Sequence, residues 1–486
     1  MSTSISELEP RGLWSHFYRL TQIPRPSGHE QQVREYVADF GRSLGLESAI
    51  DEAGNVIIRK PATKGMVHHR GVILQAHLDM VPQKNSDSDH VFERDPLDVF
   101  IDNGWVRARG TTLGADNGIG VAAVMAVLES ESIAHGPLEA LFTANEEAGM
   151  TGAMGLNPEL LNGEILLNLD SEDEGELFIG CAGGLDGTMS ISYCEELVPS
   201  DFTGFELRVS GLKGGHSGLD IHLGRGNANK IMNRLLQAGR DCCASKLASI
   251  DGGSLRNAIP REAFALVAVP SDRMEHFIET LQQLGVTITN ELAESDPGLL
   301  IGILPVDAPA TVIDNESFER FLQAVADCPN GVMRMSGEIK GMVETSNNLA
   351  RVQSTDGVIS VECLLRSSVD SSLEALATSI RSVAERLRAS ASFGGGYPGW
   401  KPDPDSPILK LMRRLYEERF GAAPEVKAIH AGLECGIIGS SYPALDMISF
   451  GPTIRFPHSP DEKIECASVP KFWDFLVDVL AGIPEK

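Results

Sequence analysis

The sequence predicts an α/β fold. Short apolar runs bounded by Gly, Pro, Asn or charged residues alternate with helical patterns before residue 204. Strands interleaved with helices are typical of a sheet with helices on its faces, and the ligands of such sheets gather at the carboxyl ends of the strands. The strand pattern changes after residue 204, so we expect a second region of different architecture there.

The first elements are a helix, four strands and a second, buried helix. Ser27 and Glu30 have the spacing of a capping box, and the apolar residues that follow recur at helical spacing, which predicts an amphipathic helix over residues 28–40. Apolar runs predict buried strands over residues 56–58, 72–75, 138–143 and 165–169, and a buried helix over residues 119–128.

The second part of the chain begins with a half-buried strand. Phe205, Leu207 and Val209 alternate with polar residues, as in a strand with one solvated face. The later elements are a helix over residues 223–239, a strand over 358–365 and a helix with an apolar stripe from Leu373 to Leu387. The Gly-rich segment 394–399 indicates a hinge or crossing point, and Ser406-Pro407 indicates the start of another helix.

Charge excludes one class of partner. The chain has 486 residues, of which 41 are basic and 68 acidic, giving a formal net charge of −27. Proteins that bind phosphate backbones need a surplus of Lys and Arg, so we expect neither a nucleic acid nor an anionic membrane surface as partner. The length exceeds what one hydrophobic core usually supports, so about two or three domains are expected.

Cysteine usage and the first ten residues indicate the cytoplasm. The 8 cysteines show no C-x-x-C spacing, which favours free thiols in a reducing compartment. Residues 1–10 carry Glu7 and Glu9 and do not resemble a signal peptide. The apolar run 119–128 is too short to span a bilayer.

Residue types that bind metal ions follow the predicted strands. The run 72–75 leads into His77-Leu78-Asp79, where strand alternation places His77 and Asp79 on the same side. A carboxylate at that spacing is suited to orienting the imidazole. Four further carboxylates follow a Gly-rich loop or the later strands: Asp116, Glu146, Glu147 and Asp170.

Each of these features alone has a structural explanation. An H-x-D sequence is more often a structural pair, adjacent Glu residues more often begin a solvated helix, and Asp116 can stabilise its own turn. Their convergence favours a metal site, because carboxylates gathered at one sheet edge repel unless a cation compensates them. Carboxylates and imidazoles without thiolates suit zinc, manganese or cobalt, and a shared Asp suits two ions about 3.5–4 Å apart.

Eight segments resemble the motifs of the M20 metallopeptidase family, in the family's order. They are AHLDMVP at 76–82, GTTLGADNG at 110–118, EEAGM at 146–150, NLD at 168–170, GGHSG at 214–218, NAIP at 257–260, HAGLECG at 430–436, and GPT at 451–453 with PHSP at 457–460. Within the family the resemblance is closest to bacterial dipeptidases that act on Xaa-His.

The resemblance implies a domain organisation. A zinc-peptidase-like catalytic domain, with a mixed sheet and flanking helices, would comprise residues 1–203 and 393–486. An inserted α+β lid domain would comprise residues 204–392. A homodimer is expected because family members form one.

The resemblance also implies a metal centre with two Zn²⁺ ions, for which Co²⁺ or Mn²⁺ are possible substitutes. One ion would be held by His77 and Asp170, and the other by Glu147 and His458. Asp116 would bridge them.

Catalytic and substrate-binding roles follow in the same way. Glu146 matches the general base, and Asp79 matches the residue that orients His77. From the lid, His216 matches the contact to the developing oxyanion. The positions that contact the substrate's C-terminal end match Asn257, Arg366 and Gly432.

The expected activity is hydrolysis of short unblocked dipeptides, preferentially Xaa-His, by metal-activated water. Other M20-type hydrolases share the metal motifs, so a tripeptidase, carboxypeptidase or N-acyl-amino-acid deacylase is an alternative. A non-enzymatic metal-dependent binding protein on the same fold is an alternative of another class, against which the intact Glu146 argues.

Overall fold

A computed structural model describes residues 4–486. The chain divides into two compact units. Unit 1 comprises the chain up to Cys181, Trp400–Ala428 and Leu433–Lys486, and unit 2 comprises Ala182–Gly399 and Ile429–Gly432.

The helices and strands are numbered separately in chain order. The α-helices are α1 (Arg11–Thr21), α2 (Gln31–Ser43), α3 (Ala115–Glu129), α4 (Thr151–Met154), α5 (Ala228–Cys243), α6 (Met274–Glu291), α7 (Asn315–Asp327), α8 (Asp370–Arg386), α9 (Pro407–Phe420), α10 (Glu434–Ser441) and α11 (Ser468–Gly482). The strands are β1 (Glu47–Ile50), β2 (Val56–Lys60), β3 (Val72–His77), β4 (Val99–Asp102), β5 (Trp105–Ala108), β6 (Leu138–Thr143), β7 (Ile165–Asn168), β8 (Glu176–Cys181), β9 (Gly183–Ser192), β10 (Glu195–Leu197), β11 (Phe202–Ser210), β12 (Gly215–His216), β13 (Lys246–Gly252), β14 (Ala258–Ile259), β15 (Ala263–Pro270), β16 (Leu300–Val306), β17 (Thr311–Ile313), β18 (Gly331–Met335), β19 (Val343–Thr355), β20 (Val358–Ser367), β21 (Ser390–Tyr397), β22 (Glu425–Ile429), β23 (Asp446–Ser449), β24 (Ile454–Arg455) and β25 (Lys463–Glu465).

Unit 1 contains a mixed eight-stranded sheet in the order β1-β2-β6-β3-β7-β23-β8-β22. Its centre is parallel: β3 pairs in parallel with β6 and β7, and β7 pairs in parallel with β23. Every residue of β3, β6 and β7 is buried, as expected of parallel strands covered on both faces. The four predicted strands and the buried helix, α3, are confirmed. No helix within residues 4–486 combines the length and the hydropathy that crossing a bilayer requires.

The predicted capping box is wrong. Helix α2 begins at Gln31, with Glu30 as its N-cap residue. The Ser27 hydroxyl does not cap it, because it donates to Asp79 Oδ2 at 2.7 Å. A tertiary hydrogen bond to a buried carboxylate thus replaces the local one that the spacing suggests.

Unit 2 contains a nine-stranded antiparallel sheet in the order β16-β11-β15-β13-β19-β20-β9-β21, with β18 paired to β19. The predicted alternation in β11 is confirmed, because Phe205, Leu207 and Val209 are all buried. They lie in one core with side chains of α5, α6, α7 and α8. The helix predicted over residues 223–239 begins instead at Ala228, because the Asn227 side chain accepts a hydrogen bond from the Lys230 N–H and caps it there.

The limits of the two units differ from the predicted domain limits of 204 and 392. Strand β9 precedes residue 204, yet it pairs along its length with β20 and also with β21, both in unit 2. The Gly-rich segment that was expected to be a hinge contributes Gly394 and Tyr397 to the β21 pairing, with an irregular register between them. The chain returns to unit 1 at Trp400.

Candidate metal centre and catalytic site

The ligand-type residues of unit 1 converge at one edge of its sheet. His77 ends β3, Asp170 comes two residues after β7, and Glu147 follows β6. Because β3, β6 and β7 are parallel, their carboxyl ends meet at the same edge. Two further residues reach the same place: Asp116 in the first turn of α3 and His458 in the segment after β24.

These side chains form two groups that share Asp116. In the groups His77–Asp116–Asp170 and Asp116–Glu147–His458, one potential ligand atom from each residue lies within 4.8 Å of the others. Asp116 Oδ1 lies 3.1 Å from His77 Nε2, and Asp116 Oδ2 lies 3.3 Å from His458 Nε2. The two oxygens of one carboxylate therefore face different groups, as a bridging ligand requires.

The contacts within each group are equally close. His77 Nε2 lies 3.2 Å from Asp170 Oδ1, and His458 Nε2 lies 3.0 Å from Glu147 Oε2. His77, Asp170 and Glu147 are almost completely enclosed, with side chains no more than 7% exposed. A carboxylate-rich cluster this deep in the protein needs compensating positive charge.

The carboxylates of this cluster raise the pKa of both imidazoles. Burial lowers the pKa of His77, but the Asp170 charge and hydrogen bonds to Asp116, Asp170 and Asp79 raise it well above its usual value. Hydrogen bonds to Asp116 and Glu147 raise the pKa of His458 to about 11. Burial raises the pKa of Asp170 to about 6. The carboxylates therefore favour positive charge at both imidazole positions.

Divalent cations fit the same arrangement. Metal ligation needs neutral imidazoles and ionised carboxylates, and a pair of dications would supply the positive charge that the carboxylates favour. One buried ligand atom, Glu147 Oε1, has no hydrogen-bond partner among the described residues. Oxygen and imidazole donors without thiolates suit Zn²⁺, Mn²⁺ or Co²⁺.

Asp79 lies beside the ring of His77 and accepts hydrogen bonds from the start of the Glu146–Glu147 segment. It is fully buried, and its Oδ1 lies 3.4 Å from His77 Nδ1. Oδ1 accepts the Glu146 N–H at 2.9 Å, and Oδ2 accepts the Glu147 N–H at 3.1 Å. The predicted neighbour of His77 thus holds the backbone of the two glutamates.

Glu146 lies beside the two groups that share Asp116. It forms a third group of potential ligands with His77 and Glu147. Burial raises its pKa well above the usual value, and the Asp170 and Glu147 charges act in the same direction. A carboxyl group with a raised pKa can exchange protons near neutral pH.

The remaining predicted residues lie in unit 2, where the Tyr397 side chain contacts Arg366 and lies beside Gly432. Arg366 is buried, and it donates from Nε to Ser217 Oγ at 3.2 Å and from Nη1 to Tyr397 Oη at 3.1 Å. A Cβ on Gly432 would lie 3.0 Å from the Tyr397 ring, so this position leaves little room for a side chain.

The hydrogen bonds of His216 define its tautomer. Its Nδ1 accepts the Gly218 N–H at 3.2 Å and the Leu219 N–H at 3.0 Å, so the neutral ring carries its proton on Nε2. Burial and the Arg366 charge lower the pKa of His216 to about 4. Asn257, also in this region, accepts the Ser217 N–H at its backbone oxygen at 2.9 Å.

Comparison with known protein families shows which family the chain belongs to. Residues 73–482 match the profile of peptidase family M20/M25/M40. The chain belongs to this peptidase family. It is therefore a hydrolase of the M20 type, and the α/β fold with a mixed sheet that the sequence predicts is confirmed.

Two relatives of this M20 peptidase match it over their full length. The cytosol non-specific dipeptidase of Escherichia coli (strain K12) is 45% identical over 487 residues, which cover 100% of both chains. The crystal structure of aminoacylhistidine dipeptidase from Vibrio alginolyticus has 48% sequence identity and a TM-score of 0.93, covering 100% of this chain and 99% of that one. A tripeptidase from Staphylococcus aureus shares the fold, with a TM-score of 0.55 at 15% identity and 98% coverage of each chain.

The structure of the M20 peptidase also reveals two residues that sequence reasoning missed. Glu462 is buried, and its carboxylate accepts the backbone N–H groups of four consecutive residues that end at Asp116. The distances are 2.8 Å from Leu113, 2.9 Å from Gly114, 2.7 Å from Ala115 and 3.2 Å from Asp116. The only sequence hint was its position four residues after His458.

Arg25 holds the other side of the same loop. Its buried guanidinium donates to the backbone oxygens of Leu78, at 3.0 Å, and Asp79, at 2.9 Å, and also to that of Gly114. Gly114 has φ +66°, and a Cβ there would lie 2.5 Å from Arg25 Nη2. Arg25 thus ties the end of the His77 strand to the loop that carries Asp116, and no motif in the sequence marks it.

Proposed function

We propose that this M20 peptidase is a metal-dependent dipeptidase that hydrolyses short unblocked dipeptides and prefers Xaa-His. The observation that carries the proposal is the full-length similarity, at 45% and 48% identity, to two dipeptidases. The name of the Vibrio alginolyticus relative supports the preference for a C-terminal histidine. The metal motifs alone do not distinguish this substrate class from others in the family.

We propose two Zn²⁺ ions as cofactors, with Co²⁺ or Mn²⁺ as substitutes. His77 and Asp170 would hold one ion, Glu147 and His458 the other, and Asp116 would bridge them. The pairing rests on the orientation of the two Asp116 oxygens, each toward a different histidine. When bound, the ions supply Lewis acidity for the scissile carbonyl and lower the pKa of water.

Glu146 is proposed as the general base. It belongs to neither of the groups that share Asp116, yet the hydrogen bond from its N–H to Asp79 fixes its backbone beside them. Its carboxylate would take a proton from the attacking water and deliver it to the leaving amine. Asp79 would act through others, by orienting His77 and the Glu146–Glu147 segment.

Four residues of unit 2 are proposed to act on the substrate. His216 carries its proton on Nε2, so it can donate to an oxyanion while its Nδ1 accepts backbone hydrogen bonds. Arg366 presents a guanidinium suited to a carboxylate, and Ser217 and Tyr397 hold it in place. Asn257 and Gly432 are proposed as further contacts to the substrate's C-terminal end.

We also propose that unit 2 corresponds to the family's lid, that the protein forms a homodimer, and that it is cytoplasmic.

A substrate panel tests the activity. The zinc-loaded protein is assayed with Ala-His, other dipeptides, a tripeptide and an N-acetyl amino acid under identical conditions. We expect the highest kcat/KM for Ala-His. A higher value for the tripeptide or the N-acetyl compound would assign the protein to another branch of the family.

Glu146→Gln tests the division of roles between the two adjacent glutamates. We expect the variant to retain two ions per chain by elemental analysis and to lose turnover by about 10²-fold to 10⁴-fold, because the amide cannot accept the proton. Loss of metal in this variant would make Glu146 a ligand and contradict the assignment.

A further inference from the structure

A separate group of potential metal ligands lies within unit 2. Cys242 and Cys243 end helix α5, and His276 lies in the first turn of helix α6. One donor atom from each lies within 4.8 Å of the other two. Within residues 4–486, this is the only such group that shares no residue with the candidate metal centre of unit 1, called the Asp116 site below.

The donor set is soft. It consists of two sulfurs and one imidazole nitrogen, with no carboxylate, and such ligands favour Zn²⁺, Cd²⁺ or Cu⁺ over Mg²⁺ and Ca²⁺. Two thiolates would cancel the charge of a divalent ion. A neutral centre costs less to place in a half-buried position than a charged one does.

The surroundings allow an ion to enter and be held. Cys243 is buried, Cys242 is partly buried and His276 is exposed, so the group opens to solvent on one side. That side leaves a position for a fourth ligand such as water. Both cysteines lie at the C-terminal end of α5, and Cys242 Sγ lies 3.7 Å from the Gly239 carbonyl oxygen. The negative end of the helix dipole favours a cation there.

We propose that Cys242, Cys243 and His276 form a binding site for a soft divalent cation of the Zn²⁺ and Cd²⁺ class. Binding replaces the two S–H bonds by two metal–sulfur bonds and releases two protons to solvent. Because binding releases protons, affinity should increase with pH.

Cadmium provides a direct probe. The zinc-loaded protein is titrated with Cd²⁺ while the ultraviolet thiolate-to-metal charge-transfer absorption is recorded. The Asp116 site holds no thiolate, so exchange of its ions would give no such band. We expect one Cd²⁺ per chain to produce the band, the double variant Cys242→Ser/Cys243→Ser to lack it, and His276→Ala to bind at least about tenfold more weakly.

Cys194→Ser is the matched control, because Cys194 is an exposed free thiol in the same unit. This variant should keep the band, and the double cysteine variant should keep the wild-type turnover of Ala-His. Should the double variant fail to fold, His276→Ala carries the test, because His276 is exposed and outside the core.

Three results would overturn the proposal. The first is an unchanged band in the double variant, and the second is no band in the wild type even at alkaline pH. The third is a mass two hydrogens lower in the Cys242–Cys243 peptide of the protein as isolated without oxidant. That mass would make the pair a vicinal disulfide instead of an ion site.

Discussion

Replacing Glu462 by Gln removes one of the two carboxylate oxygens that hold the Asp116 loop. Glu462 Oε2 accepts the N–H groups of Leu113 and Gly114, and Oε1 accepts those of Ala115 and Asp116. In the variant, an amide NH₂ replaces one oxygen, so two of the four N–H groups face a donor. A buried N–H left without an acceptor costs about 1–3 kcal/mol, so two cost about 2–6 kcal/mol.

The loop can relieve this cost by moving, and Asp116 would then move away from both histidines. Every 1.4 kcal/mol lost from metal binding weakens affinity about tenfold, so the full range corresponds to a Kd increase of roughly 30-fold to 2 × 10⁴-fold. We expect the affinity for both ions to decrease, because Asp116 contacts both groups. The Glu462 side chain itself is not among the groups of potential ligands.

The assay is a competitive chelator titration of Zn²⁺, with elemental analysis after dialysis. Burial raises the pKa of Glu462 to about 7. The titration is therefore done at about pH 8.5, where the wild-type carboxyl group is ionised and differs most from the amide.

Glu139→Gln is the matched control. Glu139 is also a buried carboxylate, and its Oε2 accepts the N–H groups of Asn162, at 2.7 Å, and Gly163, at 2.8 Å. It lies near the start of β6, the end opposite to the metal centre. This variant should lose stability in urea and keep its metal affinity. If Glu462→Gln bound both ions as tightly as the wild type, the positioning role of Glu462 would be refuted.

Three further predictions concern single side chains. Asp116→Ala should fail to retain the ion pair after dialysis, because it removes the ligand common to both groups; full occupancy would contradict bridging. His216→Ala should lower kcat with unchanged metal content, and unaltered kinetics would remove His216 from the mechanism. Burial, together with the Arg366 charge, lowers the pKa of His430 from 6.5 to about 3, so below pH 6.5 the unfolded chain takes up a proton that the folded chain does not. Between about pH 6 and 4 the wild type should therefore lose about 1.4 kcal/mol more unfolding free energy per pH unit than His430→Gln, measured by urea unfolding at each pH.

Local sequence patterns predicted the strands and helices whose formation depends on the residues within one segment. The strands β2, β3, β6 and β7 and the helix α3 lie where apolar runs predicted them. The predictions are wrong where a side chain or a segment bonds to a residue that is distant in the chain. Ser27 donates to Asp79 instead of capping α2, and Gly394 joins β21 because β9 pairs with it.

The candidate site was predictable for a related reason. His77, Asp116, Glu147 and Asp170 come at or just after strands or loops whose ends can be read from the sequence. In a parallel sheet those ends share an edge. His458 required the resemblance to the family, because no local pattern brings it to this edge.

The sequence by itself determined the fold class, the family and the residue types of the candidate metal centre. These depend on periodicity and on motifs that are contiguous in the chain. Only the tertiary structure decided which side chains hold the Asp116 loop in place. In the chain, Glu462 lies hundreds of residues from the Asp116 loop and Arg25 lies tens of residues from it. Both side chains are connected to the loop by hydrogen bonds to its backbone, which leave no mark in a sequence.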